Sequence, residues 1–377
     1  MDSLIRDIRG ADRGFHTGAD VLTHTADGVG LNLLWDEFSA DLAAWNATRN
    51  AIAALFTSPT TESFVQLPNG GDRVEMEKQS EFGVPKASRV NPDYLRMGFP
   101  LDWIDGSIRY TRKFLRDATA EQVRAQHNAI LEADNRLVFR ETMSALTTKV
   151  TAGNRAVNEN SVTIYDLWDG SSGEVPPSYA GKTFTDNHSH YLVSGAATVD
   201  GGDLKALIDT IQEHGYGLRS TPGDRIVIMV NPAEADVIWS FRRDPDDLAK
   251  DPYDFIPSVS APAYLSPVDI VGDKAPAEFQ GMAIEGSYGD AWITKNYFVP
   301  AGYVIAVAIS AAGRTPLWLR EHPNAGQRGL RLLPIYERYP LVESTYEHGF
   351  GVGVRHRSAA AVMQIKASGS YENPTWV

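Results

Sequence analysis

The sequence predicts an α+β protein organised around one long helix, and three observations predict it. Residues 117–149 carry an apolar stripe at helical spacing, with glycine and proline absent until Gly153. Further along, short strand-like runs at 225–230, 290–299 and 303–310 are interleaved with helical patterns at 202–214 and 233–241, which reads as a mixed body. Between residues 60 and 112 the chain changes character, with a stretch at 72–96 too polar to form a core of its own.

Residues 1–28 are rich in Gly, Asp and Thr without periodicity and read as an arm. From 31 to 56, Leu34, Trp35, Phe38, Leu42, Trp45, Ile52 and Leu55 recur at helical spacing, and Ser58-Pro59 stops that helix because proline cannot continue it. Phe64-Val65-Gln66-Leu67 is a short strand followed by the turn signal Pro68-Asn69-Gly70-Gly71. The polar stretch 72–96 alternates in sign, and Leu101, Trp103, Ile104, Ile108 and Tyr110 restore a strand-like pattern. Together these make a two-stranded loop that leaves the body and returns. An isolated hairpin is marginal in water, so such a loop wants a neighbour to lie on.

The long helix starts with a cap: Asp117 or Thr119 can supply it, Thr119 with Gln122 three later makes a capping box, and Glu121 suits the positive helix N-terminus. Val123, Ile130, Leu131, Leu137, Val138 and Leu146 supply its stripe. About 30 residues at 1.5 Å each make a rod of about 45 Å, well beyond the common helix length. After it, residues 162–168 predict a strand, 169–180 a Gly/Ser/Pro loop, and 244–265 a polar, proline-studded loop. Residues 330–339 form another strand, and 344–355 with 359–367 predict a terminal β-hairpin.

Composition narrows the function. The 377 residues contain no cysteine, which excludes disulfide frameworks, thiolate catalysis and Cys-ligated zinc. No apolar run reaches the roughly 18 residues that a bilayer span requires, and the N-terminus has no secretory pattern. The net charge is −13, with 48 acidic residues against 35 basic ones, so the chain lacks the basic balance of a protein that grips phosphates. Around nucleic acid it would be a wall rather than a binding module.

Few residues suggest chemistry. His188 and His190, two apart on an extended segment, face one way, but only Asp186 is a local carboxylate, and a surface or hydrogen-bonding role is favoured over a metal. Asp244, Asp246, Asp247 and Asp251 have calcium-loop composition without the central Gly and closing Glu, and read as a solvated acidic loop. Gly349, Gly351 and Gly353 alternate with Phe350, Val352 and Val354; this is a strand pattern and not a phosphate-cradling turn. Arg355, His356 and Arg357 are assigned to pairing with acidic residues across a subunit contact in preference to nucleic acid. No Gly-x-Ser-x-Gly elbow is present and no carboxylate pair stands out, so no catalytic, cofactor or metal residue is assigned.

The segment Arg96-Met97-Gly98-Phe99-Pro100-Leu101 through Tyr110-Thr111-Arg112-Lys113-Phe114-Leu115 runs straight into Ala118-Thr119-Ala120-Glu121-Gln122-Val123. Asn187-His188-Ser189-His190-Tyr191-Leu192-Val193-Ser194-Gly195 precedes a Gly-rich turn and a helix, and Val227-Ile228-Met229-Val230-Asn231-Pro232-Ala233 is a strand–Asn-Pro–helix step. Near the end comes Glu347-His348-Gly349-Phe350-Gly351-Val352-Gly353-Val354-Arg355-His356-Arg357-Ser358-Ala359-Ala360-Ala361-Val362. In this order the segments resemble the Hong Kong 97-type major capsid protein of tailed bacteriophages, and the likeness spans nearly the whole chain.

The resemblance implies an N-terminal arm at 1–57, an extended loop (E-loop) at 58–116, and a peripheral domain with its spine helix at 117–194. An axial domain at 195–335 and final peripheral-domain strands at 336–377 complete it. It implies a structural subunit, not an enzyme, that self-assembles as pentamers and hexamers into an icosahedral virion shell around double-stranded DNA. The subunit would be made in the host cytoplasm without a membrane or cofactor. Its partners would include a portal, a decoration protein and a separate scaffolding protein, since only about 30 residues precede the first helix. Lys78, Lys86, Arg89 and Arg96 in the loop, with Arg355 and Arg357, are the candidate subunit-interface residues. The alternatives are an encapsulin-like compartment, which shares the fold but encloses enzymes, and an unrelated soluble α/β metal- or ligand-binding protein using His188 and His190.

Overall fold

The computed structural model describes residues 22–48, 51–68, 83, 94–259, 274–310, 313–333 and 343–376. The α-helices among them are α1 (Leu31–Thr48), α2 (Ala51–Phe56), α3 (Arg112–Asp117), α4 (Ala120–Thr147), α5 (Gly201–Gln212) and α6 (Pro232–Ile238). The chain divides into two compact units. One comprises residues 1–48, 103–134 and 329–348, and the other 49–102, 135–328 and 349–377.

In the first unit, α1 and the N-terminal half of α4 bury their apolar faces in one cluster. Leu31, Leu34 and Phe38 of α1 meet Tyr110, Leu115, Ala120 and Val123. A second cluster joins Leu42 to Leu330 and Tyr346. The strand Leu330–Leu333 pairs antiparallel with Thr345–His348. The expected capping box of α4 is formed: Gln122 N–H donates to Thr119 Oγ1, and Thr119 N–H donates to Gln122 Oε1 at 2.9 Å. Asp27 adds a second cap by accepting from Ala120 N–H at 3.0 Å. A hydrogen bond from the Thr25 hydroxyl holds the Asp27 carboxyl below its ordinary range.

In the second unit the core is a seven-stranded mixed sheet. Its order is Tyr191–Val193, Ala360–Gln364, Tyr303–Ile309, Arg225–Val230, Ala291–Lys295, Gly286–Tyr288, Phe255–Pro257. Arg225–Val230 is buried in all but its first residue, which is why it reads as an unbroken apolar run instead of an alternating one. Helix α5 lays Leu204, Leu207, Ile208 and Ile211 against this sheet, and α6 adds Ala235 and Ile238. Helix α6 begins where expected: Asn231 caps it by accepting from Ala233 N–H, and Pro232 occupies the first turn, where its missing N–H costs nothing.

A second sheet in this unit pairs Thr57–Thr60 parallel with Leu317–Arg320, and Leu317–Glu321 antiparallel with Phe350–Val354. The alternating glycines of the last strand have a packing reason. A Cβ on Gly351 would lie 2.2 Å from the Pro100 carbonyl oxygen, and one on Gly353 2.9 Å from the Phe99 ring. Only glycine lets residues 99–101 lie flat on this strand.

Two sequence expectations fail here. Residues 162–168 form no strand; they make isolated bridges from Thr163 to Val157 and from Ile164 to Gly98. Asn158 explains this, because its side-chain oxygen accepts from the Asn160 and Val162 N–H groups and folds the segment into a turn. The terminal hairpin is also absent. Ala360–Gln364 enters the seven-stranded sheet between Tyr303–Ile309 and Tyr191–Val193, while Glu343–Val354 pairs elsewhere. All five residues of Ala360–Gln364 are buried, which a two-stranded hairpin could not provide. Residues 69–82 and 84–93, the expected tip of the polar loop, lie outside the described residues, but its base is formed: Phe64–Pro68 pairs antiparallel with Tyr94–Gly98.

Candidate functional site

The charged residues expected at subunit contacts fall in different places. Lys78, Lys86 and Arg89 lie outside the described residues. Arg96 is exposed on the loop-base strand, opposite Gln66. Arg355 is half-buried with its guanidinium 5.1 Å above the Trp318 ring, and burial lowers its pKa from the ordinary arginine value.

Arg357 is placed inside the subunit and not on its surface. Its side chain is 3% exposed, donates to the Asp166 and Leu167 carbonyls, and lies 4.0 Å above the Trp168 ring. It shares Glu174 with Arg155, which reaches Glu174 at 2.7 Å and Asp166 at 3.0 Å. Burial pushes the Asp166 carboxyl up, although Val150 N–H and the two arginines pull the other way. Residues 150–174 have little regular structure to satisfy their polar groups, so this buried network fastens them to the turn before Ala360–Gln364. The sequence suggested a surface role because a guanidinium is rarely buried without partners, and those partners sit some 190 residues upstream.

The other concentration of chemistry is a group of three histidines. His188 and His190 project to one side as the extended segment leads, and His214 arrives from the end of α5. His188 Nε2 is 3.3 Å from His190 Nε2 and 3.0 Å from His214 Nε2. His190 is fully buried, His214 is 7% exposed, and the His188 side chain is 18% exposed. Burial lowers all three pKa values, that of His214 to about 3 with His188 and Lys182 contributing, so the rings are neutral near pH 7. Phe184 stacks on His214 with ring centroids 4.0 Å apart. Gly215 has φ +81°, which turns the chain away directly after His214 and brings it against Tyr179.

The sequence held no local sign of the third histidine. His214 is 26 residues from His188, beyond any spacing rule, and the closest signal was a histidine placed directly at the predicted end of a helix. The acidic loop keeps its plain reading: Asp244 and Asp247 accept from the Asp246 and Lys250 N–H groups, so these carboxylates close turns.

No family model matches the chain, and no curated protein does. Among solved structures, one from Mycobacterium phage Patience is 37% identical and superposes with a TM-score of 0.71, over 98% of this chain and 97% of that one. More distant is the capsid of a native GTA particle, 14% identical with a TM-score of 0.46, covering 85% and 91% of the two chains. The SrpI encapsulin of Synechococcus elongatus PCC 7942 is 10% identical with a TM-score of 0.41, covering 86% and 90%. The last two are too remote to bear on function.

Proposed function

The chain belongs to the Hong Kong 97-type major capsid proteins of tailed bacteriophages, and from that membership we propose how its parts build the shell. It is a major capsid subunit that assembles with copies of itself into the capsomers of an icosahedral shell, and its place is the virion. The observation that carries this is the 37% identity to the Mycobacterium phage Patience structure along nearly the full length of both chains.

In the proposed arrangement the loop at 58–116, and the arm at 1–57 apart from the helix α1 packed in its own subunit, reach over neighbouring subunits. The spine helix and last strands, at 117–194 and 336–377, form the wall, and residues 195–335 gather around the five- and six-fold axes. Lys78, Lys86, Arg89 and Arg96 set the register of loop on wall through charge pairs, a contribution to specificity more than to affinity. Each contact is modest, and repetition under closed symmetry makes the cage stable. The paired base at Phe64–Pro68 and Tyr94–Gly98 supports this reading, since it gives residues 69–93 a fixed point of departure.

The subunit does no chemistry. With a net charge of −13 it encloses packaged DNA without gripping it. In this reading a separate scaffolding protein directs assembly in the host cytoplasm and a portal occupies one vertex.

The test is light scattering coupled to gel filtration on the full chain, alone and co-expressed with its scaffold, followed by negative-stain imaging. Megadalton icosahedral particles are expected. A protein that stays monomeric or dimeric in both conditions overturns the proposal. Nucleic acid inside the particles, as opposed to enzyme cargo, distinguishes a phage capsid from a compartment.

A further inference from the structure

We propose that His188, His190 and His214 form a binding site for a divalent transition-metal ion of the zinc type, with a solvent oxygen as the fourth ligand. The spacing is the first support. Zinc binds imidazole nitrogen at about 2.0–2.1 Å with tetrahedral geometry, which puts neighbouring ligand atoms about 3.3–3.4 Å apart. Here two pairs of Nε2 atoms are 3.3 and 3.0 Å apart, and all three ligand atoms lie within 4.8 Å of one another.

Proton bookkeeping is the second support. His190 Nδ1 is 2.7 Å from the Ala360 carbonyl oxygen, which can only accept, so Nδ1 carries the proton and Nε2 presents a lone pair. His188 Nε2 sits between that lone pair and His214 Nε2. If it carries a proton, it serves one neighbour well and not both. If it carries none, it faces His190 lone pair to lone pair. A cation at the centre satisfies all three nitrogens. The Ala360 carbonyl then acts as the outer partner that fixes the tautomer and orientation of a liganding histidine.

The surroundings fit a built site. The extended segment ending at His190 is held by the backbone bonds His190 N–H to Trp168 O and Val362 N–H to His190 O, each 2.8 Å. Phe184 covers the His214 ring. Glu213, ion-paired with Lys182, places Oε1 3.5 Å from His188 Nε2 and adds negative charge at the open side. With no thiolate in the chain, an all-imidazole set selects zinc, nickel or copper over magnesium or calcium. The bound ion would clamp the segment leading into Tyr191–Val193 to the end of α5, a staple in a protein that cannot form disulfides.

The experiment uses tag-free chain stripped with EDTA, compared with His188→Gln, His214→Gln and the exposed His24→Gln. Co2+ is titrated while the visible spectrum is recorded, and Zn2+ is then added in competition. One Co2+ per chain with the intense bands of tetrahedral coordination, displaced by one Zn2+, is expected. His24→Gln should behave as wild type. His188→Gln and His214→Gln should bind more weakly by more than the about 10–100-fold that loss of an outer-shell partner costs. Sub-stoichiometric Zn2+ in the wild type, or binding unchanged in His188→Gln, overturns the proposal. His188 has the most exposed ring of the three, so this variant decides the question even if His214→Gln does not fold.

Discussion

His348 Nδ1 and Asp134 Oδ1 lie 2.6 Å apart, although 214 residues separate them in sequence. Both are buried, and Trp45 Nε1–H donates to the other carboxylate oxygen at 3.1 Å. One carboxylate thus ties α1, α4 and the strand Glu343–Val354 together inside the first unit. Asp134→Ala takes an acceptor from a partly buried indole N–H and from a buried imidazole, at a cost of about 1–3 kcal/mol for each. Urea denaturation should show a loss of at least about 2 kcal/mol, and Asp134→Asn should lose less because one acceptor survives. A change under about 0.5 kcal/mol in the alanine variant would show that water replaces the carboxylate without cost.

Arg357 offers a sharper case because its charge is buried. Replacement by methionine keeps the stem over Trp168 but leaves Glu174 and Asp166 short of a cation. Breaking a buried pair from one side typically costs about 3–5 kcal/mol. Thermal unfolding of Arg357→Met should therefore begin many degrees below wild type. Unfolding at the wild-type temperature, with assembly alone impaired, would return Arg357 to the subunit surface.

Acid should act on the subunit through two opposed groups. Burial lowers the His356 pKa to about 4 from its ordinary 6.5, with Arg355 and Arg314 contributing. The unfolded chain takes up that proton first, so this part of the stability is complete above pH 6.5 and is lost as the pH falls toward 4. Asp203 runs the other way. Burial, with Asp200 close by, raises its carboxyl to about 6 from 3.8, so its contribution is complete below pH 3.8 and fades as the pH rises to about 6. Asp203→Asn keeps an acceptor for the Asp200 N–H and removes the buried charge. Its advantage over wild type should reach up to about 3 kcal/mol at pH 7 and shrink toward pH 4. Denaturation midpoints measured across that range check the sign, and an advantage that grows on acidification would contradict it.

Reversing Lys78, Lys86 and Arg89 together to glutamate should leave the circular dichroism and unfolding midpoint of the subunit unchanged while sharply reducing the yield of shells. Shells in normal number from the triple variant would remove these residues from the account of register.

Sequence pattern located the elements whose signals are local. The spine was legible because Thr119 and Gln122 mark its start and no glycine or proline interrupts it, and Arg225–Val230 because buried strands read as apolar runs. Within the spine, however, the pattern carries no sign of what His127 and Asp134 do. Each is in fact buried with a distant partner: Tyr346 Oη lies 2.8 Å from His127 Nδ1, and His348 serves Asp134. The same reason hid His214 and the interior position of Arg357. Long-range polar pairing leaves no periodicity, and a strand such as Ala360–Gln364 shows its burial but not which sheet it enters.

That last strand has a consequence for how the subunit is made. Ala360–Gln364 lies between Tyr303–Ile309 and Tyr191–Val193, and Val362 pairs with both Ile305 and Tyr191. During synthesis the two flanking strands therefore wait, unjoined, until residues 360–364 have left the ribosome. A chain interrupted before residue 360 lacks the strand that joins these two, and its seven-stranded sheet cannot close.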